Sequence, residues 1–545
     1  MFHKMVLDAY LGIDLGTSNS AAALYLSDQP DHVMMVTMEQ GGYLLRSVVE
    51  YLNDGRVVVG RRTLNTKGVL EGNVVMNMKR LIGRKFEDDT VKTYFPMCKA
   101  EVVKGPHGFA SFRIPALNNR ILLPEEVCSE IIRVLYTRAL TVLGDRYKLK
   151  CMAISVPAYF SQDQRVATCN AIKFAGITLP VHVVNEPSAA ALSFGIENEF
   201  KEGNVVTYDL GGGTFDITVM KVRNGNEFEV LASSGINTIG GENFDEYVLK
   251  YVVDEYQKNM HDGPLPSPSS TNYYRAFCRL EERCREVKEE LSAARNEVDV
   301  EVDEYIRQNV MTKDQRRLNL QEVFELTLSL NKLNELIKDD IDKTFTEAYT
   351  ALERANIELG IQNAGLTKDD VSKVVLVGGS SRLALVRSKL GAEFENRISQ
   401  TVKVDECVSS GAALYAYEID VGKMGVTDVT KYNIYTCPGS RHNRNKWQVF
   451  IEKGSVLPLS KEKIFRTCED HIGVFKDELY EGNTKEDAHQ LAAMRVHGIT
   501  EYDDGHAVEL RYKISISQGG VLTYSVTEVE SGKLLVEDTI VGYGK

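Results

Sequence analysis

Apolar residues along this chain fall in short runs that stop at glycine-rich turns, and three such places organise it. In "VVTYDLGGGTFDITVM" (205–220) one apolar run ends at Asp209, passes three glycines and resumes at Asp216. The spacing predicts two strands joined by a tight turn. That turn admits two readings. One is a hairpin that needs glycine for positive φ. The other is a phosphate cradle, with backbone N–H groups on the anion and a carboxylate holding its metal. "YLGIDLGTSNSAAALY" (10–25) repeats the pattern, with Asp14 at the strand end and a hydroxyl-rich turn after it. The repeat predicts two lobes of similar fold whose turns face each other across a cleft, two unrelated hairpins being the alternative. Phosphates would lie between the turns. Asp14 and Asp209 would hold a bridging Mg²⁺ through water, since this cation keeps several waters and needs few direct protein oxygens.

The third place is "KVVLVGGSSRLALVRSKL" (373–390): a strand, Gly378 and Gly379, then Ser380 and Ser381 expected to cap a helix and present its N–H groups. An ordinary strand–helix unit reads the same way. Neither GxxxxGK[ST] nor GxGxxG occurs at these turns, which disfavours P-loop and dinucleotide-binding folds. Further on, "VELRYKISISQGGVLTYSVTEVESGK" (508–533) alternates apolar and polar residues, as half-buried strands do. "HDGPLPSPSSTNYYR" (261–275) reads as a Pro/Ser-rich surface loop.

Composition narrows the class. A chain of 545 residues is long enough for about three or four domains. Its 43% hydrophobic and 26% charged residues suit a globular protein. With 64 basic against 77 acidic residues the net charge is −13, which disfavours a nucleic-acid or anionic-membrane surface. No apolar run reaches the roughly 18 residues of a spanning helix. The N-terminal residues lack the features of a signal peptide, and nine scattered cysteines form no CxxC pair, so neither zinc nor a disulfide framework is suggested. A reduced, cytoplasmic protein is expected.

"GIDLGTSNS", "NMKRLIGRKF", "VPAYFSQDQR", "VNEPSAAALSFG", "YDLGGGTFD", "IGGENFD" and "VGGSSR" occur in an order that resembles the heat-shock protein 70 family of chaperones over nearly the whole chain. The resemblance implies an α/β actin-like ATPase domain, two similar lobes around a nucleotide cleft, over 1–420. A linker at 421–430 and a β-sandwich peptide-binding domain at 431–545, without a helical lid, would follow. It implies ATP or ADP with Mg²⁺ as cofactors, and unfolded or assembling polypeptide as partner. A J-domain co-chaperone and a nucleotide exchange factor would be further partners.

Roles follow by position. Asp14 and Asp209 match the aspartates on the metal's water shell. Gly16, Thr17, Ser18 and Asn19 match the first phosphate loop; Gly211, Gly212, Gly213 and Thr214 match the second. Lys79 matches a lysine that reaches the γ-phosphate and the attacking water, and Glu186 and Asp216 match the remaining acids of the catalytic cleft. Four clustered carboxylates would repel one another without a cation, an independent reason to expect metal. Lys288, Ser292, Gly378, Gly379, Ser380, Arg382 and Asp405 match the adenosine pocket, with Gly240 and Gly241 in the adjoining "IGGENFD" turn. Pro157 and Arg165 match a nucleotide-sensing proline switch and its arginine, and Lys173 a J-domain contact.

Departures from the family matter too. Arg285 stands where a ribose-binding glutamate is usual and Glu289 where a residue packs on adenine, and their spacing lets them pair with each other. The linker "GKMGVT" (422–427) lacks the usual leucines, so Gly425, Val426 and Thr427 are expected to dock weakly and ATP to change peptide affinity little. Phe475 and Asp477 are expected at the central peptide pocket in place of smaller or apolar residues. A repurposed homologue of the closterovirus type, serving virion assembly or movement, is the alternative function. A sugar kinase of the same superfamily is disfavoured by the ordered motifs and the following sandwich.

Overall fold

The computed structural model describes residues 6–539 apart from 31, 39–40, 61–66, 70, 96–97, 199, 225–226, 260–270, 294, 303–324, 359–365, 400–402, 424–425, 437–446, 467–473 and 501–506. Within these, the first apolar run forms the strand Leu7–Asp14, which turns back through Asn19–Leu26 with Asp14 opposite Ala21. Tyr147–Val156 adds in parallel on the free side of Leu7–Asp14, and Val181–Asn185 in parallel beyond it. The second run repeats this plan. Gly203–Leu210 pairs antiparallel with Phe215–Arg223, Glu227–Ile236 extends the sheet, and Val371–Val377 adds in parallel to Gly203–Leu210. One hairpin-plus-parallel-strand unit thus occurs twice, as the internal repeat predicts.

The central strands are buried in continuous runs, because helices cover both faces of their sheets. Two helices, Glu186–Asn198 and Cys407–Asp420, lie between the two sheets; Ala189, Ala190, Ala412 and Ala413 share one core with Tyr10 and Ala153 of the first sheet and Val205 and Met220 of the second. Small residues on these helices let the sheets approach closely. The ends of Leu7–Asp14 and Gly203–Leu210 therefore meet.

The C-terminal part forms two four-stranded antiparallel sheets around a single core of Ile434, Phe450, Leu479, Leu510, Tyr512 and Ile514 with their neighbours. The strand Glu509–Ile516 alternates buried and exposed positions, as its period of two predicts. Asp477 departs from its expected place beside a peptide: it is buried, 1% exposed, and bonds Tyr512 of the opposite sheet. The Phe475 side chain lies outside the described residues, as does 261–270; the remainder of that expected loop, 271–275, opens the helix Thr271–Ser292 instead.

The linker segment is docked. Val426–Thr427 forms a short strand parallel to Phe228–Glu229, at the edge of the second lobe's sheet, and Val426 is 2% exposed. Gly425 lies outside the described residues. Strand pairing docks this segment where the usual leucine side chains are missing. Beyond it, Asp428 accepts a 3.0 Å hydrogen bond from Ser188, and the Gln518 side chain donates to the Val426 carbonyl. The two-sheet part itself sits on the first lobe. The Gln162 amide donates to Glu481 at 2.9 Å, the Gln162 side chain to the Gly520 carbonyl at 2.5 Å, and Arg165 to the Gly519 carbonyl at 2.8 Å.

Candidate functional site

The two predicted turns face each other. Gly211 closes the second turn with a 3.0 Å bond from its N–H to the Thr214 carbonyl. A Cβ on Gly212 would overlap Ser18 Oγ of the first turn, and one on Gly213 would lie 2.8 Å from Arg80 Nε. None of Gly211, Gly212 and Gly213 has positive φ. The reading that this turn needs glycine for its backbone is thereby corrected, since it needs glycine for room. The hairpin and the facing turn are both present, because Asp209 and Asp216 are cross-strand partners at its mouth.

The third turn closes the same site. Gly378 takes φ 75°, and a Cβ there would overlap the Asp209 carboxylate. One on Gly241 would overlap Ser380 Oγ. The expected cap at Ser380 and Ser381 is not formed. A 3₁₀ turn, Gly379–Arg382, intervenes, and the helix begins at Ala384. Ser381 instead donates to the Gly378 carbonyl at 2.8 Å, pinning the turn.

Together these elements enclose a cleft of about 910 Å³. It is lined by Asp14, Gly16, Thr17, Ser18, Asn19, Lys79, Glu186, Asp209, Gly211, Gly212 and Thr214, and on its other half by Gly241, Lys288, Ser292, Gly378, Gly379, Ser380, Arg382 and Asp405. Gly213, Gly240 and Asp216 stand behind this lining, Gly240 packed on the backbone of Gly212 and Gly213. Arg285 and Glu289 line the cleft too and pair at 3.0 Å, as their spacing predicts. Beside them Lys288 meets Asp245 at 2.6 Å and donates to the Gly241 carbonyl at 2.9 Å, while Arg382 meets Asp405 at 2.6 Å.

The floor of the cleft is charged and largely buried. Lys79 Nζ lies 2.6 Å from Glu186 Oε1, and both residues are 7% exposed. Burial works to discharge Lys79, but Glu186 and Asp14 outweigh it and hold its pKa above the ordinary lysine value. Burial pushes Asp14 up to about 6, with Glu186 adding repulsion and Lys79 and a 3.0 Å bond from Ser155 opposing. Asp209 and Asp216 are pushed well up by burial and then by Glu186. One lysine does not neutralise four acids, so the donor set suits a divalent cation. Among the described residues no three acidic, histidine or cysteine side chains converge to hold a metal directly. A cation that keeps its own waters and takes phosphate oxygens is the kind that fits.

Position-by-position reading misses several residues here. Arg80 is buried with its guanidinium 4.8 Å from the Tyr94 ring centre and 3.3 Å from Glu242, and Glu242 accepts a 2.6 Å bond from Ser18. The signal for both was adjacency, Arg80 following Lys79 and Glu242 following the Gly240–Gly241 pair. Arg165 donates at 2.8 Å to Asn185, the residue before Glu186.

A sequence model of the family described as Hsp70 protein matches residues 10–540. The chain belongs to the Hsp70 family. Among curated relatives it is 30% identical over 531 residues to the chaperone protein DnaK of Psychrobacter cryohalolentis, a span covering 96% of this chain and 76% of that one. Membership of Hsp70 places the chain among ATP-binding chaperones. Among the described residues no helix is long and apolar enough to cross a membrane.

Proposed function

We propose that the first 420 residues are an actin-like ATPase domain that hydrolyses ATP in this cleft, and that residues 431–545 form a β-sandwich that binds unfolded or assembling polypeptide in the cytoplasm. The observation that carries the proposal is the interlocking of the two turns at Ser18 and Gly212 above the buried Lys79–Glu186 pair. N–H groups of both turns would cradle the phosphates, and Lys288, Ser292, Ser380 and Arg382 would take the adenosine side. Asp14 and Asp209 would hold Mg²⁺ through its waters, which would neutralise charge on the phosphates. Lys79, kept charged by Glu186, would face the γ-phosphate and steady the attacking water. Phosphoryl transfer to water needs positioning and charge neutralisation and no covalent intermediate. J-domain co-chaperones and exchange factors are the partners this cycle would use.

Turnover by Asp209→Asn and by Lys79→Ala protein tests the reading. Each should fall about a hundredfold or more, the scale of losing one charge-stabilising group, with the thermal unfolding midpoint kept within a few degrees. Wild-type turnover by purified Asp209→Asn protein would remove the assignment.

A further inference from the structure

Arg46 has no role in the site as described, yet it stands in the wall of the cleft. Strand pairing fixes where it starts. Arg46 ends the short strand Leu44–Arg46 and lies directly opposite Asn19, the last residue of the first phosphate turn. Ser47 ties the same segment down: its amide donates to the Ser18 carbonyl at 2.9 Å and its hydroxyl to the Gly16 carbonyl at 2.8 Å. The Arg46 side chain then leaves the first lobe and crosses the mouth, where Nη2 lies 3.8 Å from Glu282 on the helix Thr271–Ser292. Lys288 and Ser292 of the adenosine wall stand on that same helix. A ligand with its phosphates at the turns and its nucleoside at the helix has to run past this arginine.

The guanidinium is not satisfied where it lies. At 3.8 Å the Glu282 contact is a charge pair, too long for a hydrogen bond. Nε and Nη1 are buried and have no hydrogen-bond partner among the described residues, on a side chain that is 10% exposed. A buried N–H without an acceptor bears its full desolvation cost, so an acceptor brought by a ligand is held firmly. Other cations of the cleft are taken: Lys79, Lys288, Arg285 and Arg382 each have a carboxylate within 3.0 Å. Glu282 is itself shared with Arg285, also at 3.8 Å. A planar, permanently charged set of donors matches phosphate oxygens, and its hydrogen bonds to an ionised acceptor are roughly twice as strong as neutral ones. Neutral ribose hydroxyls would gain less from it.

We propose that Arg46 is a nucleotide-binding residue that reaches from the first lobe to the diphosphate of the bound nucleotide, exchanging its long contact with Glu282 for hydrogen bonds to phosphate oxygens. This rests on the cleft taking ATP or ADP. It deepens that reading by naming the diphosphate as the part of the ligand gripped by a side chain at the mouth as well as by the two turns.

The test is calorimetric titration of the full chain with ADP and Mg²⁺, and with adenosine, on wild type, Arg46→Met and Glu282→Gln. Methionine keeps the apolar stem and removes the charge and the donors. Affinity for ADP should fall about tenfold or more, the scale of one lost charge-assisted hydrogen bond, while affinity for adenosine stays unchanged. No loss for ADP overturns the proposal. So does an equal loss for both ligands, which would place Arg46 on the nucleoside. Glu282→Gln separates binding from clasping of the two lobes: it removes the competing carboxylate and should bind ADP at least as tightly as wild type. A loss there matching that of Arg46→Met would show a clasp and overturn the proposal too. The thermal unfolding midpoint of ligand-free Arg46→Met is expected within a few degrees of wild type. If methionine unfolds the chain, Arg46→Lys takes its place, keeping the charge on a smaller donor set; a smaller loss confined to ADP is then expected, and its absence overturns the proposal. Binding is read without turnover, so a chain that binds ADP but does not hydrolyse ATP would lose the ATPase reading and keep this one. A wild type that binds no ADP would lose both.

Discussion

Arg285 and Glu289 stand on the cleft wall that carries Lys288 and Ser292, joined by a 3.0 Å ion pair. Arg285 also lies 3.8 Å from Glu282, which meets Arg46 across the mouth at the same distance. The charges of this wall therefore satisfy one another. A nucleoside entering there has to compete with an existing pair for its hydrogen bonds. ADP should consequently bind more weakly than to a chaperone with the usual pocket. Arg285→Glu/Glu289→Arg keeps an ion pair at this spacing but returns a carboxylate to the side expected to take the ribose, and should tighten ADP about tenfold, the scale of one regained charge-assisted hydrogen bond. Calorimetry with ADP on both proteins measures this, and an unchanged affinity would mean that these positions do not face the nucleoside. Lys79 and Glu186 could be named from their motifs. Arg80 and Glu242 acquire their meaning from partners far away in the chain, which no local spacing encodes.

At the scale of elements, docking of the linker rests on main-chain pairing, one buried valine and the side-chain hydrogen bonds from Ser188 to Asp428 and from Gln518 to the Val426 carbonyl. Val426→Asp would put a charge into the core shared with Met220 and Phe228. It should forfeit at least the ~1.5–3 kcal/mol that burying such a side chain provides. Amide exchange at Phe228 and Glu229 should rise at least tenfold in this variant; unchanged protection would show that the strand pair holds without its side chain. Strand pairing of this kind has no signature in composition, which is why "GKMGVT" reads as a weak linker and yet is docked. The paired hairpins and the period-two strands were legible, because burial of one face imposes alternation and duplication leaves matching turns. The reason for Gly212 and Gly213 was not. Space and positive φ select the same residue, and only the approach of Ser18 and Arg80 tells them apart. The helix after Gly379 begins later than its serines suggest for a related reason: Ser381 turns back on the Gly378 carbonyl in place of capping.

Across the whole molecule, the contact between the first lobe and the two-sheet part contains a buried acid pair. Asp163 is 8% exposed beside Glu481, which is 2% exposed, takes the Gln162 amide at 2.9 Å and meets His489 at 3.1 Å. Burial pushes Asp163 up to about 7; Glu481 adds repulsion, and Lys85 and His489 oppose it. A carboxyl whose pKa is higher docked than free takes up a proton on docking. Its contribution is therefore least costly at low pH, grows more costly as pH rises from about 4 to about 7, and is level above. Each pH unit in that window costs about 1.4 kcal/mol per proton taken up. Asparagine carries no such proton, so Asp163→Asn should dock more tightly than wild type, by a margin that widens between pH 5 and pH 7 and then stays constant. Lys431 is drawn down to about 7 by burial and favours docking at high pH, but Asp163 does not act on it, so it is common to the two proteins and cancels in the difference. His489 is held above its ordinary value by Glu481 against burial, and favours docking at low pH. Asp163 adds to that hold, so the variant's His489 favours docking at low pH less, which widens the margin in the same direction as pH rises. The measurement is exchange protection of Val426 and Phe228 in each protein from pH 5 to pH 8, corrected for the intrinsic chemical rate. A margin that does not change with pH would show that Asp163 is ionised in the docked state, and that Lys85 and His489 together outweigh its burial.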